Sequence, residues 1–176
     1  MTTLIAISAE IVIGREAQEV WEVVADYGND VLWRQGVTSM VATPAGVVRE
    51  GTTTDEHMTV AGGRYHNLGV VTAVGPGLRF AWRTTSGADA DGSRAVTATA
   101  AGTSRVRLEL NVRLHGAQRL AAPLFRATLR RNLTADAERL RNRLQAPTEP
   151  AKAPAKPAKA PAEPAKAPAK PATPRR

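Results

Sequence analysis

The pattern that most restricts the fold of this chain is a long amphipathic stretch, Ala117–Leu144, that follows a series of strand-like segments. Apolar residues recur in it at intervals of three or four, the spacing of one face of a helix. They are Leu120, Leu124, Phe125, Leu129, Leu133, Ala137, Leu140 and Leu144. We predict one long helix that buries this stripe. Pro123 indicates that the helix either begins late or is kinked in its first turns.

Period-two alternation is typical of the residues before this helix. In Arg105–Leu114 every second side chain from Val106 onward is apolar and the intervening ones are polar, which predicts a strand with one buried face. Ile5–Ile13 predicts a first strand in the same way. Two short helices are predicted after it, at 16–27 and 31–34. Further strands are predicted at 37–43, 51–60, 64–74, 78–84 and 93–100, with a turn at 86–92.

The order of these elements predicts an α+β fold. A curved antiparallel sheet of about seven strands has one apolar face, the long helix has one apolar stripe, and each buries the other. Small residues at Ala121–Pro123 and around Gly69 favour an open cavity of about 300–1,000 Å³ between sheet and helix. The alternative is that aromatic side chains fill this space.

Residues 147–176 differ from the rest of the chain. They contain three copies of a seven-residue unit (AKAPAKP, AKAPAEP, AKAPAKP), all five lysines and nine of the twelve prolines. Frequent proline excludes a helix or a central strand, and no large apolar side chain is available for burial. We therefore expect a disordered basic tail attached to a folded domain at 1–146. Weak, salt-sensitive contact with nucleic acid or another polyanion is one role for it, and a spacer is the other.

Several classes of protein are excluded by what the chain lacks. It has no cysteine, which rules out disulfides, thiolate catalysis and Cys-ligated metal centres. The N-terminal apolar stretch is interrupted by Glu10 and is far shorter than the about 20 residues of a membrane span. We expect a soluble, cytoplasmic protein. No nucleophile-elbow, phosphate-loop or zinc-protease motif is present.

Groups of residues in the expected order resemble the START-like (SRPBCC) superfamily, particularly bacterial members described as polyketide cyclase/dehydrase-like. The matching segments are Ala9–Ile13, Val20–Tyr27, Trp33-Arg34, Gly51-Thr52, Val71–Gly77, Arg79–Arg83 and Leu120–Leu124. The resemblance covers about residues 4–146. It implies a helix-grip fold with a cavity between sheet and long helix that holds an apolar ligand, such as a lipid or polyketide. Some members of the superfamily cyclise or dehydrate polyketides, and others bind protein partners.

The candidate ligand-binding residues are apolar or aromatic side chains expected to line this cavity. They are Trp21, Tyr27, Phe80, Trp82, Leu110, Leu124 and Phe125. Catalysis would also require polar groups inside the cavity to position a carbonyl and move a proton, and Glu56, His57 and His66 are the candidates. Ligand binding is thus the first hypothesis. A cyclase or dehydratase, and an interaction protein whose tail binds nucleic acid, are the alternatives.

The register of the hairpin at 50–74 decides where the two histidines lie. If Ala61-Gly62 forms the turn, His57 and His66 face each other; if Gly62-Gly63 forms it, His57 pairs with Leu68 and His66 with Thr59. A metal site would need a third ligand. His115 lies at a distant strand end, and no other residue has evident ligand spacing, so we predict neither a metal ion nor a cofactor.

Overall fold

The computed structural model describes residues 2–60 and 62–146. Strand β1 (Thr3–Ile13) leads into helix α1 (Ala17–Val24), a 3-10 turn (Tyr27–Asn29) and the short helix α2 (Asp30–Trp33). A 3-10 segment (Gly116–Ala121) precedes the long helix α3 (Ala122–Gln145). The strands between are β2 (Val37–Thr43), β3 (Thr53–Val60), β4 (Gly63–Gly75), β5 (Arg79–Ser86), β6 (Ala90–Ala100) and β7 (Thr103–Leu114).

The described strands form one seven-stranded antiparallel sheet in the order β1-β7-β6-β5-β4-β3-β2. Strands β1 and β7 pair over their full length, with Ile5 opposite Val112 and Ile13 opposite Ser104. The predicted α+β, helix-grip fold is confirmed. Because side chains alternate between the two faces of each strand, the apolar positions of β1, β5 and β7 share one face and form the core with α1 and α3.

Helix α3 contributes to the core mainly through its C-terminal half. Ala137 and Leu140 are fully buried, whereas Leu120 and Leu124 are 89% and 69% exposed. The inward orientation predicted for those two leucines is wrong. Neighbouring residues of a helix point about 100° apart, so Leu124 cannot face the sheet together with Phe125. Leu120 lies in the 3-10 segment, because Pro123 makes α3 begin late.

Strand β6 begins inside the region for which a turn is predicted. The turn is limited to Gly87–Asp89, and β6 starts at Ala90. The Thr84 hydroxyl accepts from the Ala90 N–H and lies 2.6 Å from the Ala88 carbonyl, so this side chain holds both ends of the turn. A hydroxyl bond of this kind leaves no periodic signal in the sequence.

No helix of residues 2–60 and 62–146 has the length and hydrophobicity needed to cross a bilayer. The predicted basic tail, 147–176, lies outside the described residues. Its disorder, its contacts with polyanions and the domain boundary at 146 therefore stay predictions.

Candidate ligand-binding site

A cavity of about 290 Å³ lies between the sheet and the N-terminal half of α3. Its volume is near the lower end of the range of small-molecule sites. Most of its wall is apolar. The apolar residues are Met58 and Val60 of β3, Trp82 of β5, Leu110, Val112 and Leu114 of β7, and Phe125 and Leu129 of α3.

Polar side chains reach this cavity in two separate groups. Arg34, Glu56 and Asn67 form the inner group, and Glu56 and Asn67 are buried. The outer group is exposed and includes Asp89 and His115, whose Nε2 lies 2.8 Å from Asp89 Oδ2. The hydrogen bond from His115 lowers the pKa of Asp89, and the positive charge of Arg113 lowers it further. One group is thus shielded from solvent and the other is in contact with it.

A network of buried charges stands behind the inner group. Asp30 has no exposed surface, and its two carboxylate oxygens accept from Arg94 Nη1 and Nη2 at 2.7 and 2.6 Å. Arg94 Nη1 also donates to the Val24 carbonyl at 3.0 Å. The guanidinium lies 4.7 Å from the ring centroid of Tyr27 and 5.1 Å from that of Trp33. Arg94 is therefore held by a bidentate ion pair and by aromatic faces.

Arg34 connects these buried charges to the cavity wall. Its Nη1 donates to Asp30 Oδ2 at 3.0 Å and to Glu56 Oε1 at 2.5 Å. Glu56 Oε2 accepts from the Asn67 side-chain amide at 2.9 Å, and Asn67 Oδ1 accepts from the Ala88 N–H at 3.0 Å. A continuous chain of hydrogen bonds thus runs from the core to the turn after β5.

The network contains two arginines and two carboxylates, so its charges balance. Burial alone lowers the pKa of Arg34, but the carboxylates of Glu56 and Asp30 raise it, and the net direction is upward. The pKa of Arg94 is also raised overall: burial lowers it, but the carboxylate of Asp30 raises it by more. For Tyr27, burial raises the pKa of the phenol, and Arg94 only partly opposes this. Both arginines are therefore charged at neutral pH, and Tyr27 carries its proton.

Strand register explains why Glu56 and Asn67 meet at the cavity. Glu56 of β3 is directly opposite Asn67 of β4, and alternation turns both toward the face that α3 covers. A second hollow, of about 40 Å³, continues from this point toward Tyr27 and Arg94. It has the volume of a water molecule rather than of a ligand.

Two glycines allow close contacts around the cavity. Gly87 has a φ of +88°, and a Cβ there would lie 2.4 Å from Asn67 Oδ1. Gly92 lies opposite Trp82 in the β5–β6 register, and a Cβ there would lie 2.9 Å from the indole. Glycine at these positions therefore lets the turn rest on Asn67 and leaves room for the Trp82 ring.

Helix α3 is anchored close to Arg34. The Gln35 N–H donates to Asp136 Oδ1 at 2.5 Å, and Arg139 Nη2 donates to Gln35 Oε1 at 3.1 Å. Asp136 is buried, and burial raises the pKa of its carboxyl against the opposing effect of the Gln35 N–H. These contacts fix the helix over the inner end of the cavity.

The structure places the predicted ligand-binding residues in four environments. Trp82, Leu110 and Phe125 line the cavity, and Tyr27 lines the inner hollow. Trp21 and Phe80 lie in the core instead, with ring centroids 5.9 Å apart. Leu124 is exposed and does not line the cavity. Aromatic filling and an open space therefore coexist on the same face of the sheet, since Phe80 and Trp82 are two positions apart on β5.

Among the predicted polar groups, Glu56 lines the cavity but the two histidines do not. His57 and His66 pair directly across β3 and β4, as expected if Ala61-Gly62 forms the turn. Their side chains are 54% exposed on the opposite face of the sheet, because each is one residue away from an inward position. Their assignment as cavity groups is corrected accordingly. The expectation that no third ligand lies near them is also wrong, since Asp55 does.

Sequence reasoning did not select Asp30, Arg34, Asn67 or Arg94 as site residues. The i, i+4 spacing of Asp30 and Arg34 on α2 is a local signal for their ion pair. Arg94 follows the inward positions of β6, in alternation with Val96. No sequence pattern pairs Asp30 with Arg94, because 64 positions separate them.

A larger groove, of about 790 Å³, runs along the exposed side of α3. It is lined by Pro123, Arg126, Arg130, Arg131 and neighbouring helix residues, with none from the sheet. Because one helix alone forms it, it offers a ligand no enclosing walls. The cavity under α3 is the better candidate site.

Solved structures with a similar fold include the ZhuI aromatase/cyclase of Streptomyces sp. R1128, at 15% identity and a TM-score of 0.68, covering 81% of this chain and 94% of that one. A START superfamily protein of Mycobacterium smegmatis matches at 11% identity and a TM-score of 0.63, covering 79% and 96%. Norcoclaurine synthase of Thalictrum flavum matches at 13% identity and a TM-score of 0.59, covering 81% and 87%. At these identities the likeness concerns the fold alone.

Curated protein sequences give no match to this chain. A family model does match, and it spans residues 5–145. This range contains the whole of α3 and every described strand, apart from the first two residues of β1. On that match the chain belongs to the family described as polyketide cyclase/dehydrase and lipid transport.

Proposed function

We propose that this protein binds one amphipathic small molecule, of lipid or polyketide type, in the cavity under α3. The observation that carries the proposal is a largely apolar cavity whose inner end is polar and mostly shielded from solvent, formed by Arg34, Glu56 and Asn67. The family description, with its cyclases and lipid carriers, supports the same class of ligand. The volume of about 290 Å³ favours a compact ligand over a long one.

The apolar part of the ligand would lie against Trp82, Leu110 and Phe125. Its polar group would face Arg34 and Glu56. Both hydrogen bonds that Arg34 makes to carboxylates of the described residues use Nη1, so the N–H groups of Nη2 and Nε remain as donors. Glu56 offers further lone pairs as acceptors.

Titration of the full chain with a panel of short fatty-acid methyl esters, aliphatic alcohols and fused-ring aromatic ketones tests the proposal. We expect 1:1 binding by calorimetry. Leu110→Trp fills the cavity and should abolish binding, whereas Leu124→Trp adds the same side chain at an exposed site and should leave affinity within twofold of the unmodified chain. Absence of binding across the panel, or equal affinity of the two variants, would refute it.

A second candidate is a cyclase or dehydratase, favoured by the acid and the guanidinium at one end of the cavity. In an aldol closure, Glu56 would remove a proton from a methylene between two carbonyls, and Arg34 would stabilise the enolate oxygen. The carbanion would attack a carbonyl farther along the chain, the resulting alkoxide would take up the proton held by Glu56, and the alcohol would then lose water. Turnover of a poly-β-ketone analogue that Glu56→Gln abolishes, with ligand affinity retained, would establish this activity; binding without turnover would exclude it.

A further inference from the structure

We propose that Asp55, His57 and His66 bind one divalent transition-metal ion, such as Zn²⁺, on the outer face of the β3–β4 hairpin. This cluster lies on the face of the sheet opposite the cavity, so the inference is independent of the proposed ligand. It would make the hairpin a metal site that neither catalysis nor ligand binding in the cavity requires.

The backbone brings the three side chains together. Asp55 and His57 are two positions apart on β3 and therefore project from the same face, and His66 is directly opposite His57 on β4. Cross-strand partners have Cβ atoms about 4.5–5.5 Å apart. A paired antiparallel hairpin thus fixes the spacing of the three groups before any ion arrives.

The ligand atoms converge on one point. His66 Nε2 lies 2.9 Å from Asp55 Oδ1, His57 Nε2 lies 3.6 Å from the same oxygen, and the ligand atoms all lie within 4.8 Å of one another. Two nitrogens bound to tetrahedral zinc at about 2.0–2.1 Å are roughly 3.3 Å apart. Small rotations of the exposed imidazoles are enough to reach that geometry.

The donor set selects the class of metal. Two imidazoles and one carboxylate suit Zn²⁺, Ni²⁺ or Cu²⁺, whereas Mg²⁺ and Ca²⁺ prefer oxygen ligands alone. The imidazole rings are parallel, with centroids 4.2 Å apart and an interplanar angle of 5°. Both Nε2 atoms lie close to the same carboxylate oxygen, an arrangement that a single cation between the three groups would stabilise.

The chain supplies its own control. It has three histidines and no cysteine, so two of its three imidazoles belong to this cluster. The third, His115, also lies beside a carboxylate, with Nε2 2.8 Å from Asp89 Oδ2, but no second histidine is near it among the described residues. A His–Asp pair alone binds metal weakly. Comparing the His115–Asp89 pair with the three-residue cluster therefore measures how much affinity the second histidine adds.

Calorimetric titration of the untagged, chelator-treated full chain with ZnCl₂ tests the proposal. We expect one site per chain with micromolar or tighter affinity, and a melting temperature that rises with Zn²⁺. His57→Ala, His66→Ala and Asp55→Asn should each weaken binding at least tenfold, and His115→Ala should leave it unchanged. With Co²⁺, the visible absorption of a four-coordinate ion should appear in the unmodified chain and vanish in His66→Ala.

The three substitutions are at exposed positions, so the variants are expected to fold, and unfolding in urea without metal verifies this. His57→Gln and His66→Gln provide a second pair that preserves side-chain size. Failure of the unmodified chain to bind Zn²⁺ below 1 mM would overturn the proposal. So would equal affinity in the unmodified chain and in His66→Ala, or loss of binding in His115→Ala alone.

Discussion

The guanidinium of Arg34 lies 2.5 Å from the carboxylate of Glu56, measured from Nη1 to Oε1, and this contact joins the cavity wall to the charges buried behind it. Arg34 is 21% exposed at its side chain and Glu56 is 11% exposed, so both reach the cavity while remaining largely shielded. Buried ion pairs contribute little net stability when intact but are costly to break. The pair therefore forms a rigid polar surface on the cavity wall.

Removing Asp30 should be among the most damaging single changes in the domain. Asp30→Ala leaves Arg34 and Arg94 without their shared carboxylate in a buried environment, and loss of one partner of a buried pair costs about 3–5 kcal/mol. Urea denaturation measures the change in the free energy of unfolding. Glu22→Ala, at an exposed position of α1, is the control and should change it by less than about 0.5 kcal/mol. A loss below 1 kcal/mol for Asp30→Ala would contradict the role given to the network.

Gly87→Ala should destabilise the protein and weaken ligand binding together. The φ of +88° disfavours any side chain, and the new Cβ would lie 2.4 Å from both Asn67 Oδ1 and the His66 carbonyl oxygen, which would displace the turn from the cavity. Gly77→Ala is a matched control, because its φ is +78° and its Cβ would meet no atom within 4 Å. Each variant carries the left-handed cost of about 1–2 kcal/mol. Gly87→Ala should lose about 1–3 kcal/mol more, from overpacking. Equal losses in the two variants would show that the close contacts with Asn67 and the His66 carbonyl have no effect.

Asp136 should make stability depend on pH. Burial raises the pKa of its carboxyl above the ordinary value of 3.8, so the folded protein holds this proton more tightly than the unfolded chain. The stability from this group is therefore complete at low pH and is lost as the pH rises through the folded-state pKa. Asp136→Asn keeps an acceptor for the Gln35 N–H but cannot ionise. As the pH rises from about 4 through the folded-state pKa, the unmodified protein should lose stability relative to this variant. Urea unfolding at several pH values measures this, and parallel profiles would disprove it.

The basic tail stays a prediction, and deletion of 147–176 tests it. The tail contains five lysines and two arginines against two glutamates, so retardation of DNA in a gel at low salt should disappear when it is removed. Replacing the five lysines with glutamine in the full chain separates charge from length and should have the same effect. If the shortened protein retards DNA equally, the tail is not the cause. Ligand binding in the cavity should be unaffected by either change.

Sequence periodicity predicted the fold well, because alternation and helical spacing report directly on which face is buried. The alternation in Arg105–Leu114 matches the structure. Of the two alternatives for Pro123, a late helix start or a kink, the structure has the late start, at Ala122. The error at Leu124 arose where apolar residues occur next to each other, since periodicity then does not say which of them faces inward.

The polar part of the site was harder to predict. Glu56 and His57 are adjacent, and a single-residue difference in strand parity sends one to the cavity and the other to solvent. The ion pair of Asp30 and Arg94 joins α2 to β6, and no local pattern signals such a contact. No sequence pattern indicates that Asp55 lies beside His66, because the two residues meet only across the hairpin.

The two arginines (Arg34 and Arg94) and two carboxylates (Asp30 and Glu56) balance in charge, and this balance limits which ligands the cavity can bind. A ligand with a hydroxyl or ketone group leaves that balance intact and can accept hydrogen bonds from the Nη2 and Nε groups of Arg34. A ligand with an ionised carboxylate would place an unpaired negative charge beside Glu56, and the desolvation of that charge costs a large free energy. The cavity should therefore discriminate against free acids and favour uncharged esters, alcohols and ketones of the same size.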